Sequence, residues 1–484
     1  MNYKRISRIL AQILMLEAFF MLPALGISLH DGRRAAALGF VYTIGIIAAV
    51  AGALFLASRK TPQGFYAREG MVCVGIGWII MSLFGCLPFI FSKEIPSFID
   101  ALFEIVSGFT TTGATILSDV EAMSRGLLYW RSFSHWLGGM GVLVLLLFFV
   151  SARNERSGSA LHILRAESPG PSVGKLVPRM KQTAFYLYLI YIVLTILNFI
   201  FLVVGKMPVF DSICTALGTA GTGGFGIRND SIAGYSPYIQ WVCTVFMLLF
   251  GVNFSCYFMV LTRQFRAVIG DEELRAYFIM VLVSILLIVI NLRNFYASIG
   301  ENIRHASFQV ASIVTTTGFS TTDFNLWPNF SKAILVFLMI IGACAGSTGG
   351  GLKCIRMILL LKSMHRNLKK SIYPNKVDVV RINKMPIDEK VLSSTTSYLI
   401  AYVVIIVVSF LLVSLDGFSL TTNMTAVLAT FNNIGPGFEA VGPVSNFSGY
   451  SEFSKLVFIF DMLAGRLEIL PMMLLFTPST WRRR

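Results

Sequence analysis

The chain has 484 residues, 55% of them hydrophobic and 13% charged, with a mean hydropathy of +0.72, which excludes a water-soluble globular protein of this size. Its 40 Lys and Arg against 25 Asp and Glu leave a formal charge of +15, but the bases sit in short blocks between apolar runs, not on one face with interleaved aromatics, which excludes nucleic-acid binding. Apolar runs of about 20 residues, enough to cross a hydrocarbon core of about 30 Å, recur from end to end and predict an all-α polytopic membrane protein.

A basic start (1–10) leads into an apolar run over roughly 9–29, which is long and followed by a second at 37–57, so it reads as a retained helix and not a cleaved signal. Then one pattern occurs four times: a span, a short half-apolar segment, a Thr/Asn/Gly phrase, and a second span. The first unit has spans at 71–92 and 130–151 around Phe98–Phe109 and Thr110-Thr111-Thr112-Gly113. Next come spans at 183–205 and 238–262 around Val209–Ala220 and Gly221-Thr222-Gly223-Gly224. The third has 273–293 and 332–361 around Ile303–Val314 and Thr315-Thr316-Thr317-Gly318, and the fourth 393–415 and 453–476 around Leu420–Phe431 and Asn432-Asn433-Ile434-Gly435. Approximate unit bounds are 61–155, 156–265, 266–370 and 371–484, after an N-terminal two-helix extension over 1–60.

A dozen helical residues reach about half the hydrocarbon thickness, so the short segments read as re-entrant half-helices, for ten crossings in all. Placing both termini inside puts 1–10, 58–71, 152–182, 263–276, 353–392 and 482–484 on one side with 28 of the 40 bases, the positive-inside pattern of a cytoplasmic face. The seven cysteines, Cys73, Cys86, Cys214, Cys243, Cys256, Cys344 and Cys354, mostly lie in apolar segments without metal-ligand spacing and read as small buried residues.

Non-helical backbone at membrane depth is tolerated only when buried in protein or lining an aqueous cavity. Four such loops facing one axis form a pseudo-fourfold pore, with carbonyls able to replace the hydration shell of a monovalent cation. The glycine in fourth place supplies backbone freedom, and the hydroxyls of Thr110, Thr111, Thr222, Thr315 and Thr316 and the amides of Asn432 and Asn433 pack behind the loops or add oxygens. No acid lies within the phrases, which favours a monovalent over a divalent ion. Asp100, Glu104, Asp119, Asp211, Asp230, Asp323 and Glu439 lie nearby, either as a cation-attracting vestibule or as solvated loop charges. In the second unit the adjacent Gly223 and Gly224 leave two registers open, and Gly224 is favoured because Phe225 then matches Phe319.

After Ala333–Ile341 the chain turns glycine-rich from Gly342 to Gly351. Gly346, Gly349, Gly350 and Gly351 with Ser347 and Thr348 hold a helix poorly, so the segment reads as a broken, flexible loop, with a small-residue packing seam as the alternative. A phosphate loop fails because Leu352 separates the last glycine from Lys353. Arg466 lies within the last apolar span, where a charge is costly. Asp461 and Glu468 are five and two residues away, off the favoured helical spacing. Two readings stand: a latch on carbonyls of 342–351, or a structural ion pair. His135, beside Trp136, reads as a packing residue.

The four units, the N-terminal pair, and the stretches Trp130–Gly141, Gly342–Lys353 and Gly465-Arg466-Leu467-Glu468 resemble the Trk/Ktr/HKT superfamily of potassium transport subunits, and the extension is similar to its TrkH branch. The resemblance spans nearly the whole chain. It implies potassium uptake across a bacterial cytoplasmic membrane. Four selectivity loops would hold K⁺ (or Rb⁺) on carbonyls of Thr111, Thr112, Thr222, Gly223, Thr316, Thr317, Asn433 and Ile434, with glycine at Gly113 going with potassium and serine there with sodium. It implies that the segment 342–351 is an intramembrane gating loop with Gly346–Gly351 and Arg466 as its gate, that the subunit is a homodimer, and that a nucleotide-binding regulatory ring of the TrkA/KtrA kind docks from the cytosol. The ten bases of Lys353–Lys390 suit that acidic partner or lipid headgroups. No organic cofactor is expected. An ion-coupled symporter is the rival function, and an enzyme is disfavoured because no nucleophile–base or metal constellation stands out.

Overall fold

The computed structural model describes residues 1–58, 67–141, 180–375 and 378–481. Among these, six helices are long and apolar enough to cross a bilayer: Tyr3–His30, Arg34–Ala57, Arg68–Phe91, Phe185–Val204, Glu272–Asn291 and Glu389–Asp416. Several leave large aliphatic residues exposed, among them Ile196, Leu282, Leu286, Ile400 and Leu411. Such surface suits lipid and not water.

Each unit's short helix is present: Phe98–Phe109, Val209–Gly221, Ile299–Val314 and Leu420–Phe431. Serine side chains start three of them, Ser97, Ser298 and Ser419 accepting the N–H of Asp100, Glu301 and Thr422, which satisfies donors that a helix start otherwise leaves orphaned. The third begins at Ile299 and not at Ile303. Its first turn contains Glu301 and Asn302, so apolar periodicity alone starts the helix too late.

The predicted unbroken second spans at 238–262 and 453–476 are both interrupted. Pro237–Phe250 and Phe254–Leu261 meet at 88°, separated by Gly251-Val252-Asn253, and the Asn253 side chain caps the new helix by accepting from Ser255 N at 2.9 Å. Glu452–Arg466 stops before Leu470–Phe476, with Glu468 and Ile469 at φ of 59° and 63° between them and Pro471 in the first turn of the new helix, a position proline favours. In the third unit Asn329–Ile341 and Cys354–Ile372 are separated by the glycine-rich segment, the one break the composition predicts. The first unit's second helix covers Arg125–Gly139; the rest of the predicted 130–151 span lies mostly outside the described residues.

Packing closes the units into a ring. The second helix of each packs on the short helix of the next: Arg125–Gly139 on Val209–Gly221, Pro237–Phe250 on Ile299–Val314, and Asn329–Ile341 on Leu420–Phe431. Glu452–Arg466 then returns to Phe98–Phe109. Helices Tyr3–His30 and Arg34–Ala57 pack on each other and against the first unit, sharing one apolar core with units one and four. All seven cysteines are buried and unbridged. Beyond the all-helical expectation, the described residues include a hairpin pairing Arg381 with Pro386 and Ile382 with Met385. Its turn residues Asn383 and Lys384 have φ of 49° and 66°, the left-handed pair of a type I′ turn.

Candidate functional site

The four Thr/Asn/Gly phrases end the four short helices with one backbone geometry. The third phrase residue donates its N–H back six residues' span: Thr112 to Ser107 O at 2.9 Å, Gly223 to Gly218 O at 2.9 Å, Thr317 to Ser312 O and Ile434 to Ala429 O at 2.8 Å. The second residue bonds Gly108, Thr219, Ile313 and Thr430 carbonyls at 3.1–3.2 Å. This is the Schellman termination, which puts its pivot residue in the left-handed region. Here the pivots are Thr111, Thr222, Thr316 and Asn433, at φ of 54–58°. Threonine there is strained, so surrounding contacts must hold it.

After one further residue come Gly113, Gly224, Gly318 and Gly435, with φ of 80°, 74°, 84° and 98°. Thr222 and Gly224 thus occupy the places of Thr111 and Gly113, which resolves the two registers in favour of Gly224. A Cβ on each glycine would strike the carbonyl oxygen of the next loop's third residue: Gly113 meets Gly223, Gly224 meets Thr317, Gly318 meets Ile434, and Gly435 meets Thr112. The contacts run around a closed circle. Gly113, Gly224 and Gly318 are partly exposed among buried neighbours, so they border open space.

The phrase side chains divide their work. Thr110 and Thr315 hydroxyls turn back to the carbonyls of Val106 (2.7 Å) and Ala311 (2.6 Å) and bond Thr112 and Thr317 hydroxyls, both at 2.8 Å. They brace the loops from behind. Asn433 Nδ2 donates to Thr112 Oγ1 and Met462 O, both at 3.0 Å, tying loop four to loop one. Tyr402 Oη donates to Asn432 Oδ1 at 3.0 Å. His135, fully buried, contacts Gly108 O through Nδ1 at 2.7 Å and accepts from Phe225 N through Nε2 at 3.2 Å, which assigns the neutral Nδ1–H tautomer. It is a packing residue, and a specific one, since a Cβ on Gly223 would enter its ring.

Glu104 departs from the vestibule reading. It is wholly buried and pairs with Arg131, whose Nε and Nη2 donate at 2.7 and 2.6 Å. It also accepts from Thr115 Oγ1 and Ile116 N, while the guanidinium lies 4.0 Å from the Phe225 ring. The carboxylate therefore braces loops one and two and presents no charge to solvent. Asp100 is likewise paired, with Lys455 at 2.6 Å. Asp119 and Glu439 do stay exposed. The Asn229 amide donating to Asp119 holds its carboxyl below the usual range, and the hydroxyls of Ser419 and Thr422 do so for Glu439.

The 342–353 segment is a loop lying against one side of the ring. Gly350 N donates to Thr316 Oγ1 at 2.6 Å, and a Cβ on Gly349 or Gly350 would press on the carbonyls of Thr315 and Asn432. Arg466 donates to Thr348 O at 2.8 Å, to Gly138 O at 2.5 Å and to Gly139 O at 2.9 Å. Arg466 thus joins two elements: one bond reaches Thr348 in the expected 342–351 stretch, and two reach Gly138 and Gly139 at the end of the first unit's second helix, which the sequence reading did not foresee. Two cations absent from the sequence-derived site join it: buried Lys353 bonds Gly349 O, and Arg356 pairs with Glu468 beneath the Tyr398 ring at 3.9 Å. In the sequence Lys353 stands as a misplaced phosphate-loop lysine, the end of the Gly342–Lys353 stretch and the first of ten bases, with no sign of its bond to Gly349 O.

A family model described as TrkH, cation transport protein, matches residues 38–483. The chain is 35% identical to the Trk system potassium uptake protein TrkH of Escherichia coli strain K12 over the whole of both chains. It is 30% identical to that strain's Trk system potassium uptake protein TrkG over 96% of each. The crystal structure of the potassium transporter TrkH from Vibrio parahaemolyticus matches all of both chains with a TM-score of 0.88 at 32% identity.

Proposed function

The chain belongs to the TrkH family of cation transport proteins, and from that premise we propose that K⁺ passes inward through the ring of four loops, held by the carbonyls of Thr111, Thr112, Thr222, Gly223, Thr316, Thr317, Asn433 and Ile434. The observation that carries the reading is the closed circle of glycine-to-carbonyl contacts. Carbonyl dipoles packed at that density, with loop backbones locked by the Schellman ends, offer a dehydrated monovalent cation a fixed set of oxygens. Glycine keeps each position open. The membrane potential drives entry by about 2.3 kcal/mol per charge per 100 mV.

In this reading both termini face the cytoplasm. The loop 342–353 closes the path below the ring, where Arg466 and Lys353 occupy carbonyls of Thr348 and Gly349 that a passing ion would need. A guanidinium and an ammonium held there repel an arriving cation. A homodimer regulated by a cytosolic nucleotide-binding partner fits the ten bases of Lys353–Lys390.

The test is Rb⁺ uptake into liposomes containing the purified chain, at clamped potential with K⁺ or Na⁺ as competitor. Inhibition by K⁺ and not by Na⁺, indifferent to a pH gradient, is expected. Uptake that follows a proton or Na⁺ gradient at fixed potential replaces the pore with a coupled symporter. Deleting Ala345–Gly350 raises basal uptake, and a folded deletion protein without flux rejects the gate.

A further inference from the structure

At the start of the third unit, Asp271-Glu272-Glu273 opens the helix Glu272–Asn291, with the Asp271 side chain as its cap, accepting from Leu274 N at 2.8 Å. Glu273 is almost fully buried, and its Oε1 accepts two backbone N–H groups, from Ala345 at 2.7 Å and from Ile355 at 3.1 Å. Those residues are ten apart in sequence and flank Gly346–Lys353, the part of the loop that touches the ring. One carboxylate oxygen therefore ties together the two feet of the loop.

The neighbouring acids hold something else. Asn383, at the tip of the 381–386 hairpin, donates its N–H to Glu272 at 3.1 Å and its Nδ2 to Asp271 at 2.8 Å, and its Oδ1 accepts from Glu272 N at 2.9 Å. Lys362 bonds Glu272 and the carbonyl of Arg381, the latter at 2.8 Å. Beneath the loop, Ala345 shares a small apolar core with Ile355, Leu359, Val380, Ile382 and Leu392. Hairpin, loop feet and helix start meet in three consecutive residues.

We propose that Glu273 is a positioning residue that holds the 342–353 loop closed, and that Asp271 and Glu272 couple this hold to the 381–386 hairpin. Displacing the hairpin then rotates the helix start and withdraws the shared acceptor from both loop feet. The proposal rests on the loop being the gate. Its physical basis is that a buried N–H stripped of its acceptor incurs its full desolvation penalty, and two are stripped at once. The turn also accounts for hairpin geometry that the helical units do not need, a left-handed Asn383 whose three polar groups all meet the acidic turn.

The experiment measures Rb⁺ uptake of the full chain in liposomes without any cytosolic partner, for E273A, E273Q, N383A, the double variant E273A/N383A and the Ala345–Gly350 deletion. Each is first checked for a monodisperse, wild-type-like elution profile. E273A is expected to raise basal uptake about tenfold or more, the loss of two buried hydrogen bonds at once biasing a two-state loop. E273Q, which keeps an acceptor oxygen, rises less. N383A, on the accessible hairpin, raises uptake in the same direction, and the double variant exceeds E273A by little, since both act through one joint. K⁺ over Na⁺ preference stays unchanged in the Glu273 and Asn383 variants. Folded E273A and N383A with wild-type or lower uptake overturn the proposal while the deletion still conducts; a silent deletion rejects the gate itself. Should E273A fail to fold, N383A and E273Q decide alone.

Discussion

At the scale of single residues, the ring is controlled by atoms that are missing as much as by those present. Any Cβ on Gly113 runs into the Gly223 carbonyl oxygen, and φ of 80° strains it further. Gly113→Ser is therefore expected to displace that oxygen and lower K⁺ over Na⁺ discrimination at least about tenfold, a difference of roughly 1.4 kcal/mol between the ions; competition in the Rb⁺ assay reads it. Behind the loops, Arg131→Met strands the Glu104 carboxylate in a dry interior and should destabilise by about 3–5 kcal/mol. The pair E104L/R131M removes both charges and should recover most of the loss, as thermal melting in detergent will show. A double variant no more stable than R131M would deny the pairing. Glu104 also marks where reading the sequence stops: it precedes Thr110 by six residues and meets Arg131 only through a contact between two helices. Nothing in its neighbours separates a buried acid from a solvated one.

Helical elements were legible wherever apolar period and a capping serine agreed. Phe98–Phe109 and Leu420–Phe431 match their predicted bounds because Ser97 and Ser419 stand at their starts. The breaks at 251–253 and 467–469 were hidden, since hydropathy is blind to backbone angle and Leu467 to Ile469 remain apolar but for Glu468. Only the third break announced itself, through five glycines. Caps make a direct check: Ser298→Ala removes the acceptor for Glu301 N and should cost about 1 kcal/mol, seen as a small drop in melting temperature with ion preference intact. A loss of preference would mean that the first turn of this longer half-helix shapes the ring.

At the scale of the whole molecule, four loops each lean on the next, and in the proposed pore the mouth must stay negative to attract cations. With Asn229 donating to Asp119, and Ser419 and Thr422 donating to Glu439, both carboxyl pKa values lie below the ordinary range. A depressed pKa keeps the charged form as pH falls, so uptake at fixed potential should hold down to about pH 4, where an ordinary Asp or Glu is already close to half neutral; D119N/E439Q should lower uptake most at low ionic strength, where screening is weakest. Equal reduction at all salt concentrations would point to loop damage. Gly138 and Gly465 lie alike under the carbonyls of Phe109 and Phe431, so Gly139 and Arg466 hold corresponding stations, yet only one carries a guanidinium. Four identical subunits would have to repeat that arginine on every quarter and crowd four like charges around a single axis. In a single polypeptide the fourth quarter carries arginine where the first carries glycine, so the backbone ring keeps its fourfold repeat while the side chains beside it do not.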